Sequence, residues 1–192
     1  MWRHLPNLIT LLRIGLVVPV FWLIRDGSYG DALVIAAVAG ISDVVDGFLA
    51  RRFHWQSRLG SLLDPLADKL LLMASFAALT LTGVLPVWLL LLVFGRDLLI
   101  VAGAIGYHVL IGRFDAAPTI LSKLTTAVQI TCVLVELLRL SAWADLPGSE
   151  GLIVVTALFT VASGIHYVVA WSLRARRVIQ QRKQGYAGDG QD

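Results

Sequence analysis

Charged residues are scarce in this chain. Only 15% of the 192 residues are Asp, Glu, Lys or Arg, whereas 57% are hydrophobic. In ordinary soluble domains about 25% of residues are charged. The composition therefore indicates an integral membrane protein and leaves no room for a separate soluble domain.

Cysteine is almost absent, and the basic residues form no cluster of the kind that binds nucleic acid. The single Cys132 lies in an apolar run and cannot form an intrachain disulfide, so it gives no information about redox compartment. The net charge is only +3, and the cations lie close to apolar runs. They are typical of membrane anchors, so no nucleic-acid partner is expected.

Six apolar runs are long enough to cross a bilayer as helices. We predict an all-α, polytopic membrane protein with one domain over residues 1–184 and a disordered cytoplasmic tail, 185–192. The first run is too long for a signal peptide and is interpreted as a retained span. The predicted spans are residues 5–24, 31–51, 62–83, 86–110, 119–140 and 151–173.

The distribution of basic residues predicts the orientation. With a cytoplasmic amino terminus, only Arg25 and Arg139 fall outside, and the remaining loop and tail cations fall inside. Both termini and the loop between spans two and three are then cytoplasmic. The compact chain without targeting extensions favours a bacterial inner membrane.

Four carboxylates stand out against the apolar background of spans two and three. Asp43 and Asp46 are three residues apart, and Asp64 and Asp68 are four apart, so each pair shares a helix face. A short turn containing Gly60 is expected to bring the pairs together. Each like-charge contact at about 5 Å costs roughly 3 kcal/mol at an effective dielectric near 20. We therefore expect all four carboxylates to hold a hard divalent cation, Mg²⁺ or Mn²⁺.

Some residues of this acidic stretch also have a structural explanation, and others do not. Asp64 followed by Pro65 is typical of a helix start. Asp68 has no such explanation, because it lies one turn inside an apolar helix. Arg51 is suited to gripping a phosphate, although a membrane anchor is the alternative.

Three further groups of polar residues lie within apolar spans. Asn7, Thr10 and Arg13 share one face of the first span, and capping with snorkelling is the alternative to a functional role. Arg96, near the middle of the fourth span, is either part of an ion pair or part of a substrate pocket. Glu136 and Arg139 are three residues apart and predict a local ion pair.

The acidic stretch has the pattern D-x-x-D-G-x-x-A-R, then eight residues, then G-x-x-x-D-x-x-x-D, over residues 43–68. At every fixed position it resembles the signature of the CDP-alcohol phosphatidyltransferase family. Residues 6–10 and Arg13 look like the opening helix of that family. The resemblance extends over most of the chain.

The resemblance implies a six-helix membrane fold, usually a homodimer, with a polar cavity facing the cytoplasm. It also implies transfer of a phosphatidyl group from CDP-diacylglycerol to an alcohol, with release of CMP. Asp68 would accept the proton of the attacking hydroxyl, and all four carboxylates would hold metal. The residues implied at the CDP-lipid site are Asn7, Thr10, Gly47, Ala50, Arg51 and Gly60.

The acceptor is less sharply indicated. Residues 63–69, 95–97 and 122–129 look most like the cardiolipin synthase branch, whose acceptor is phosphatidylglycerol. The phosphatidylglycerophosphate synthases, which use glycerol 3-phosphate, are the alternative. In either case Arg96 and Lys123 are the cations expected to meet an acceptor phosphate. A cation transporter is the alternative of another class, but it gives no role to Gly47, Ala50 or Arg51.

Overall fold

The computed structural model describes the backbone of residues 5–53, 58–110, 119–141, 148 and 150–188, and the side chains of residues 10–42, 66–106, 119–141, 148 and 150–174. The described residues form six helices and no strand. The helices are α1 (Leu5–Arg25), α2 (Tyr29–Phe53), α3 (Arg58–Leu81), α4 (Val87–Leu110), α5 (Ile120–Leu140) and α6 (Glu150–Gly188). The predicted all-α fold with six helices is confirmed.

The third helix begins earlier than predicted. α3 starts at Arg58, so Gly60 lies in its first turn, and Asp64 and Pro65 lie inside it. The expected turn at Gly60 and the capping role of Asp64 are therefore wrong. The first residues of α3 include the good helix formers Arg58, Leu59, Leu62 and Leu63, which favours a helix start before Asp64.

The last helix is longer than predicted. α6 extends to Gly188, so residues 185–188 of the expected tail are helical. Residues 174–184 are rich in Arg, Lys and Gln, which are good helix formers. The remaining four residues lie outside the described chain.

Two glycines end helices in the same way. Gly27 follows α1 with φ of 80°, and Gly83 follows α3 with φ of 76°. After α1, the Ser28 N–H donates to the carbonyl of Leu23 at 2.9 Å. After α3, the corresponding bond joins Val84 N–H to the Leu79 carbonyl at 2.9 Å. Both are glycine-capped helix ends, and they separate α1 from α2 and α3 from α4.

The chain forms two compact units. The first consists of Met1–Leu90 and Gln129–Ile153, and the second of Leu91–Val128 and Val154–Asp192. In the first unit, α1 packs against both α2 and α3. In the second unit, α4 and α6 are in close contact. Gly103 has no side chain, and the ring of Trp171 occupies the space where a Cβ would lie.

Many large apolar side chains lie on the surface of the described residues, and several polar ones are buried together with the apolar core. Large apolar side chains such as Leu91, Ile105 and Leu158 are exposed, whereas Gln129 and Thr156 are fully buried. Three helices are long and apolar enough to cross a membrane over their described residues, and Tyr29–Ser42 is a shorter apolar segment. The three are Val87–Gly106, Ile120–Leu140 and Glu150–Arg174. Polar groups inside and apolar groups outside are what a lipid environment selects.

Candidate active site

The acidic motif occupies two helices of the first unit. The first half of the motif lies on α2 and the second half on α3, and both helices pack on α1. The helical backbone places Asp43 with Asp46, and Asp64 with Asp68, on shared faces, as the spacing predicts. Of these carboxylates, only Asp68 has a described side chain. The predicted site residues whose side chains lie outside the described set are Asn7, Asp43, Asp46, Gly47, Ala50, Arg51, Gly60 and Asp64.

Asp68 forms an ion pair with Arg13. Nη1 of Arg13 donates to Oδ1 of Asp68 at 2.9 Å, which joins α1 to α3 across 55 residues of sequence. The Arg13 side chain is 3% exposed and the Asp68 side chain is 47% exposed. A snorkelling arginine would reach water, so the snorkelling alternative for Arg13 is wrong. Thr10, one turn earlier on α1, is also buried.

An apolar cavity of about 570 Å³ adjoins this pair. Arg13 and Asp68 are two of its lining residues. The others are Ala36, Ala37, Gly40, Ile41, Leu71, Leu72, Ser75, Ile130, Val133 and Leu134. The cavity therefore combines a carboxylate and a cation with a long apolar wall, which suits a ligand that has both a phosphate and a hydrocarbon part.

Arg96 is surrounded by partners in the second unit. Its Nη1 donates to Oδ1 of Asp97 at 2.7 Å, and its Nη2 donates to Oγ of Ser122 and of Ser163, both at 2.6 Å. The guanidinium carbon also lies 5.9 Å from the ring centre of Tyr167. The arginine is 6% exposed. The ion-pair alternative for Arg96 is thus realised, and the charge is neutralised within the apolar interior.

Lys123 has a different environment. It follows Ser122 in the first turn of α5 and is exposed. Sequence reasoning did not identify Ser163 or Tyr167 as partners of Arg96. Ser163 lies within an apolar run, and this was the available signal, because a hydroxyl in lipid needs a polar neighbour.

The predicted pair on α5 is confirmed. Arg139 donates through Nε at 3.1 Å and through Nη2 at 2.9 Å to Oε2 of Glu136. Glu136 is fully buried, and Arg139 is about one-third exposed. The pair lies within the first unit. Glu136 and Arg139 neutralise each other, so neither charge has to be assigned to the acidic motif.

The donor set of the motif fits a hard divalent metal ion. Four carboxylates and no thiolate occur in residues 43–68, and Mg²⁺ and Mn²⁺ prefer oxygen ligands. Among the described residues there is no group of three or more acidic, histidine or cysteine side chains that could hold a metal ion. The side chains of Asp43, Asp46 and Asp64 lie outside the described part, so the expected metal site stays a prediction.

Residues 3–171 match the model of the CDP-alcohol phosphatidyltransferase family. The chain belongs to this family. Members with that signature act as divalent-metal-dependent phosphatidyltransferases, and the motif, the six helices and the Arg13–Asp68 pair are the features of this chain that bear on that chemistry.

Among its relatives are cardiolipin synthases (CMP-forming). The chain is 34% identical to that of Homo sapiens over 180 residues, which is 85% of this chain and 60% of the human protein. It is 34% identical to the probable enzyme of Drosophila melanogaster over 182 residues, 86% of this chain and 56% of that protein. The chain thus spans little more than half the length of these two relatives.

Another relative has a different name. The CDP-diacylglycerol–glycerol-3-phosphate 3-phosphatidyltransferase of Bacillus subtilis is 31% identical over 183 residues, 85% of this chain and 93% of that protein. The names of these relatives therefore give two different activities.

Proposed function

We propose that this chain transfers the phosphatidyl group of CDP-diacylglycerol to an alcohol and releases CMP. The observation that carries the proposal is the placement of Asp68. This last carboxylate of the motif is half exposed on the wall of an apolar cavity, where Arg13 holds it. A carboxylate in that setting can meet the hydroxyl of an acceptor while hydrocarbon lies beside it.

The reaction is a direct displacement at phosphorus. The acceptor hydroxyl oxygen forms a bond to the phosphorus of the phosphatidyl group as the bond from that phosphorus to the CMP oxygen breaks. CMP leaves with the electron pair, and Asp68 takes the hydroxyl proton, directly or through one water. No covalent enzyme intermediate is needed, since the acceptor hydroxyl is itself the nucleophile, and Cys132 is remote from the motif in sequence.

The other motif residues hold the donor. Asp43, Asp46 and Asp64 bind Mg²⁺ or Mn²⁺, which supplies charge neutralisation at the pyrophosphate when bound, and Asp68 also reaches this set. Arg51 grips a phosphate through its planar guanidinium. Close approach of the cytidine part is allowed by the small residues Gly47, Ala50 and Gly60, with Asn7 and Thr10 beside it.

Phosphatidylglycerol is the acceptor that we favour, so the product is cardiolipin. Two observations support it: the two animal relatives are named cardiolipin synthases, and the cavity beside Asp68 is lined mainly by apolar side chains. Lys123, which is exposed, and Arg96 remain the two cations that the sequence predicts for an acceptor phosphate.

Glycerol 3-phosphate is the second candidate acceptor. It is favoured by the Bacillus subtilis relative, 93% of whose length is matched by this chain. The same carboxylates and the same displacement would serve this acceptor, because the attacking group is again a primary hydroxyl. Only the contacts to the remainder of the acceptor would differ.

The setting that we propose is a bacterial inner membrane, with the motif and both termini on the cytoplasmic side and with two copies forming a homodimer. The orientation is supported by the excess of Arg and Lys in the loops assigned to that side. Single cysteines introduced in the loop 26–28 and at the carboxyl terminus, labelled with a membrane-impermeant reagent, would test the orientation. Cross-linking in membranes would test the dimer.

Release of CMP by the purified protein distinguishes the acceptors. CDP-diacylglycerol and Mn²⁺ are supplied with phosphatidylglycerol in one reaction and with glycerol 3-phosphate in another. Release with phosphatidylglycerol alone is expected. Release with glycerol 3-phosphate alone would assign the chain to the second candidate, and release with neither would contradict both.

A further inference from the structure

The second unit contains an apolar groove between α4 and α6, with a volume of about 430 Å³. Its walls are formed by residues from the segments 91–99 of α4 and 160–169 of α6. At about 1.5 Å per residue, the groove extends about 13 Å along the two helices. It shares no lining residue with the cavity beside Asp68, so it is a feature separate from the candidate active site.

The floor of the groove is hydrocarbon even where Arg96 contributes to it. The guanidinium of Arg96 is held by hydrogen bonds to three polar side chains. Its Cγ lies 3.8 Å from the position of a Cβ on Gly164, so the methylene stem lines the groove beside that glycine. The hydroxyl of Thr160 donates to the carbonyl of Thr156 in its own helix at 2.7 Å. The groove therefore suits hydrocarbon rather than a polar headgroup.

The groove opens on the surface that a membrane span presents to lipid. Val87–Gly106 and Glu150–Arg174 are long and apolar enough to cross a membrane. On the α6 wall, Val161, Ile165 and Val169 are 43%, 60% and 50% exposed. Exposed side chains of a membrane span meet acyl chains, so lipid hydrocarbon has direct access to the groove.

One end of the groove lies at the level expected for lipid headgroups. Arg96 bonds to Ser163, and further along both helices Trp171 packs beside Gly103. The helices α4 and α6 therefore run in the same direction. Trp171 comes just after the last lining residue of α6 and makes an edge-to-face contact with Tyr167 at 5.7 Å. Trp and Tyr are enriched where spans meet the headgroups, so we expect the carboxyl-terminal end of the groove to approach a membrane surface.

Beyond this level α6 continues as a basic helix. It extends to Gly188, and residues 174–188 include five Arg or Lys residues and no Asp or Glu. Arg176 follows Val169 by about two helical turns and Ile165 by about three. It therefore occupies the position on α6 that continues the exposed row of these two residues. Arg177 lies about 100° further round the helix.

We propose that this row binds one anionic phospholipid of the membrane, with an acyl chain in the groove and the headgroup phosphate at Arg176. The charge favours this occupant, because an arginine can pair with a phosphate through two parallel hydrogen bonds. A basic residue near a membrane surface favours an anionic lipid by about fivefold. The proposal concerns lipid binding apart from the reaction, and it does not depend on the proposed function.

A second copy of the chain is a less suitable occupant of the groove. Two copies inserted in the same direction and packed through this face would bring Arg176 of each copy to the same depth. Like charges at one depth repel each other. The phosphate of an anionic lipid neutralises the arginine instead.

The test uses phosphatidylglycerol that carries a photoreactive diazirine in one acyl chain, with phosphatidylcholine carrying the same chain as the reference lipid. Each is present at a low mole fraction in phosphatidylcholine vesicles that contain the full-length protein, without CDP-diacylglycerol. After irradiation, mass spectrometry measures the labelling within residues 91–99 and 160–169. Arg176→Gln is compared with Arg177→Gln, which removes the same charge at the next position of the helix.

In the wild type, we expect phosphatidylglycerol to label these two segments about fivefold more than phosphatidylcholine. Arg176→Gln should remove most of this preference and leave labelling by phosphatidylcholine unchanged, whereas Arg177→Gln should keep most of it. Gly95→Leu should lower labelling by both lipids at least about threefold, because its side chain occupies the groove. Gly106→Leu is the control on the same helix, since a Cβ meets nothing at either glycine.

Equal labelling of the segments by the two lipids would overturn the proposal. Equal loss of the preference in Arg176→Gln and Arg177→Gln would also overturn it, because it would indicate a diffuse surface charge. A groove that neither lipid labels would contradict it and favour a second copy as the occupant. If Gly95→Leu does not fold, the comparison of the two arginines decides, because both lie beyond the span Glu150–Arg174.

Discussion

Arg96 in α4 donates to the Ser163 hydroxyl in α6 through two nitrogens, Nε at 3.2 Å and Nη2 at 2.6 Å. Both residues are buried. Hydrogen bonds to charged groups contribute more to stability than neutral ones, and loss of a partner leaves part of the charge unsolvated. The Ser163 hydroxyl on α6 is therefore a neutral hydrogen-bond acceptor that holds the side chain of the buried Arg96 in place.

Replacement of Ser163 by alanine should destabilise the protein. We expect Ser163→Ala to cost on the order of 1 to 2 kcal/mol, seen as a lower unfolding temperature in detergent. Ser75→Ala is the control, because the Ser75 hydroxyl is equally buried but donates only to the carbonyl of Leu71 in its own helix. Equal effects of the two substitutions would show that the charged contact contributes nothing.

Filling the cavity beside Asp68 should impair lipid substrates. Gly40 lines the cavity, and a Cβ there has open space around it. Gly40→Leu is expected to lower kcat/KM for long-chain substrates at least about tenfold, because its side chain occupies the space beside the carboxylate. The control is Gly15→Leu on α1, where a Cβ also meets nothing. A wild-type rate in Gly40→Leu would mean that the substrate does not use this cavity.

Removal of the metal should abolish activity. EDTA is expected to eliminate CMP release, and Mn²⁺ or Mg²⁺ should restore it. Asp43→Asn should lower both Mn²⁺ binding and turnover by at least about tenfold, since it removes an anionic ligand. Asp31→Asn, an exposed carboxylate in the first turn of the same helix, should change neither. Full activity in EDTA would refute a metal-dependent mechanism.

Much of the fold could be predicted from hydrophobic periodicity. Six long apolar runs separated by short polar segments admit few alternatives in lipid, and the described parts of the chain form six helices. The error lies at the start of α3. There Asp64 and Pro65 form a strong local start signal, yet the helix begins six residues before Asp64. A cap signal is worth only about 1 kcal/mol, and the good helix formers Arg58, Leu59, Leu62 and Leu63 favour a helix start before it.

The site was less predictable because pairings between distant residues leave little trace in one sequence. The spacing of the acidic motif predicts which carboxylates share a helix face. It does not reveal that Arg13 meets Asp68 across 55 positions. In the same way, Arg96 is recognisable as a charge in an apolar run. Its hydrogen-bond partners Ser122, Ser163 and Asp97 depend on the packing and rotation of the helices, which one sequence does not reveal.

The central claim is that Asp68 accepts the proton of the acceptor hydroxyl. The most direct measurement is CMP release and Mn²⁺-dependent CDP-diacylglycerol binding by Asp68→Asn, with Asp26→Asn in the exposed turn after α1 as the control. Asparagine keeps the size of the side chain but cannot take the proton. We predict that CMP release falls at least about 100-fold while CDP-diacylglycerol binds within about threefold of the wild type. Turnover near the wild-type rate, or loss of donor binding together with turnover, would contradict the account.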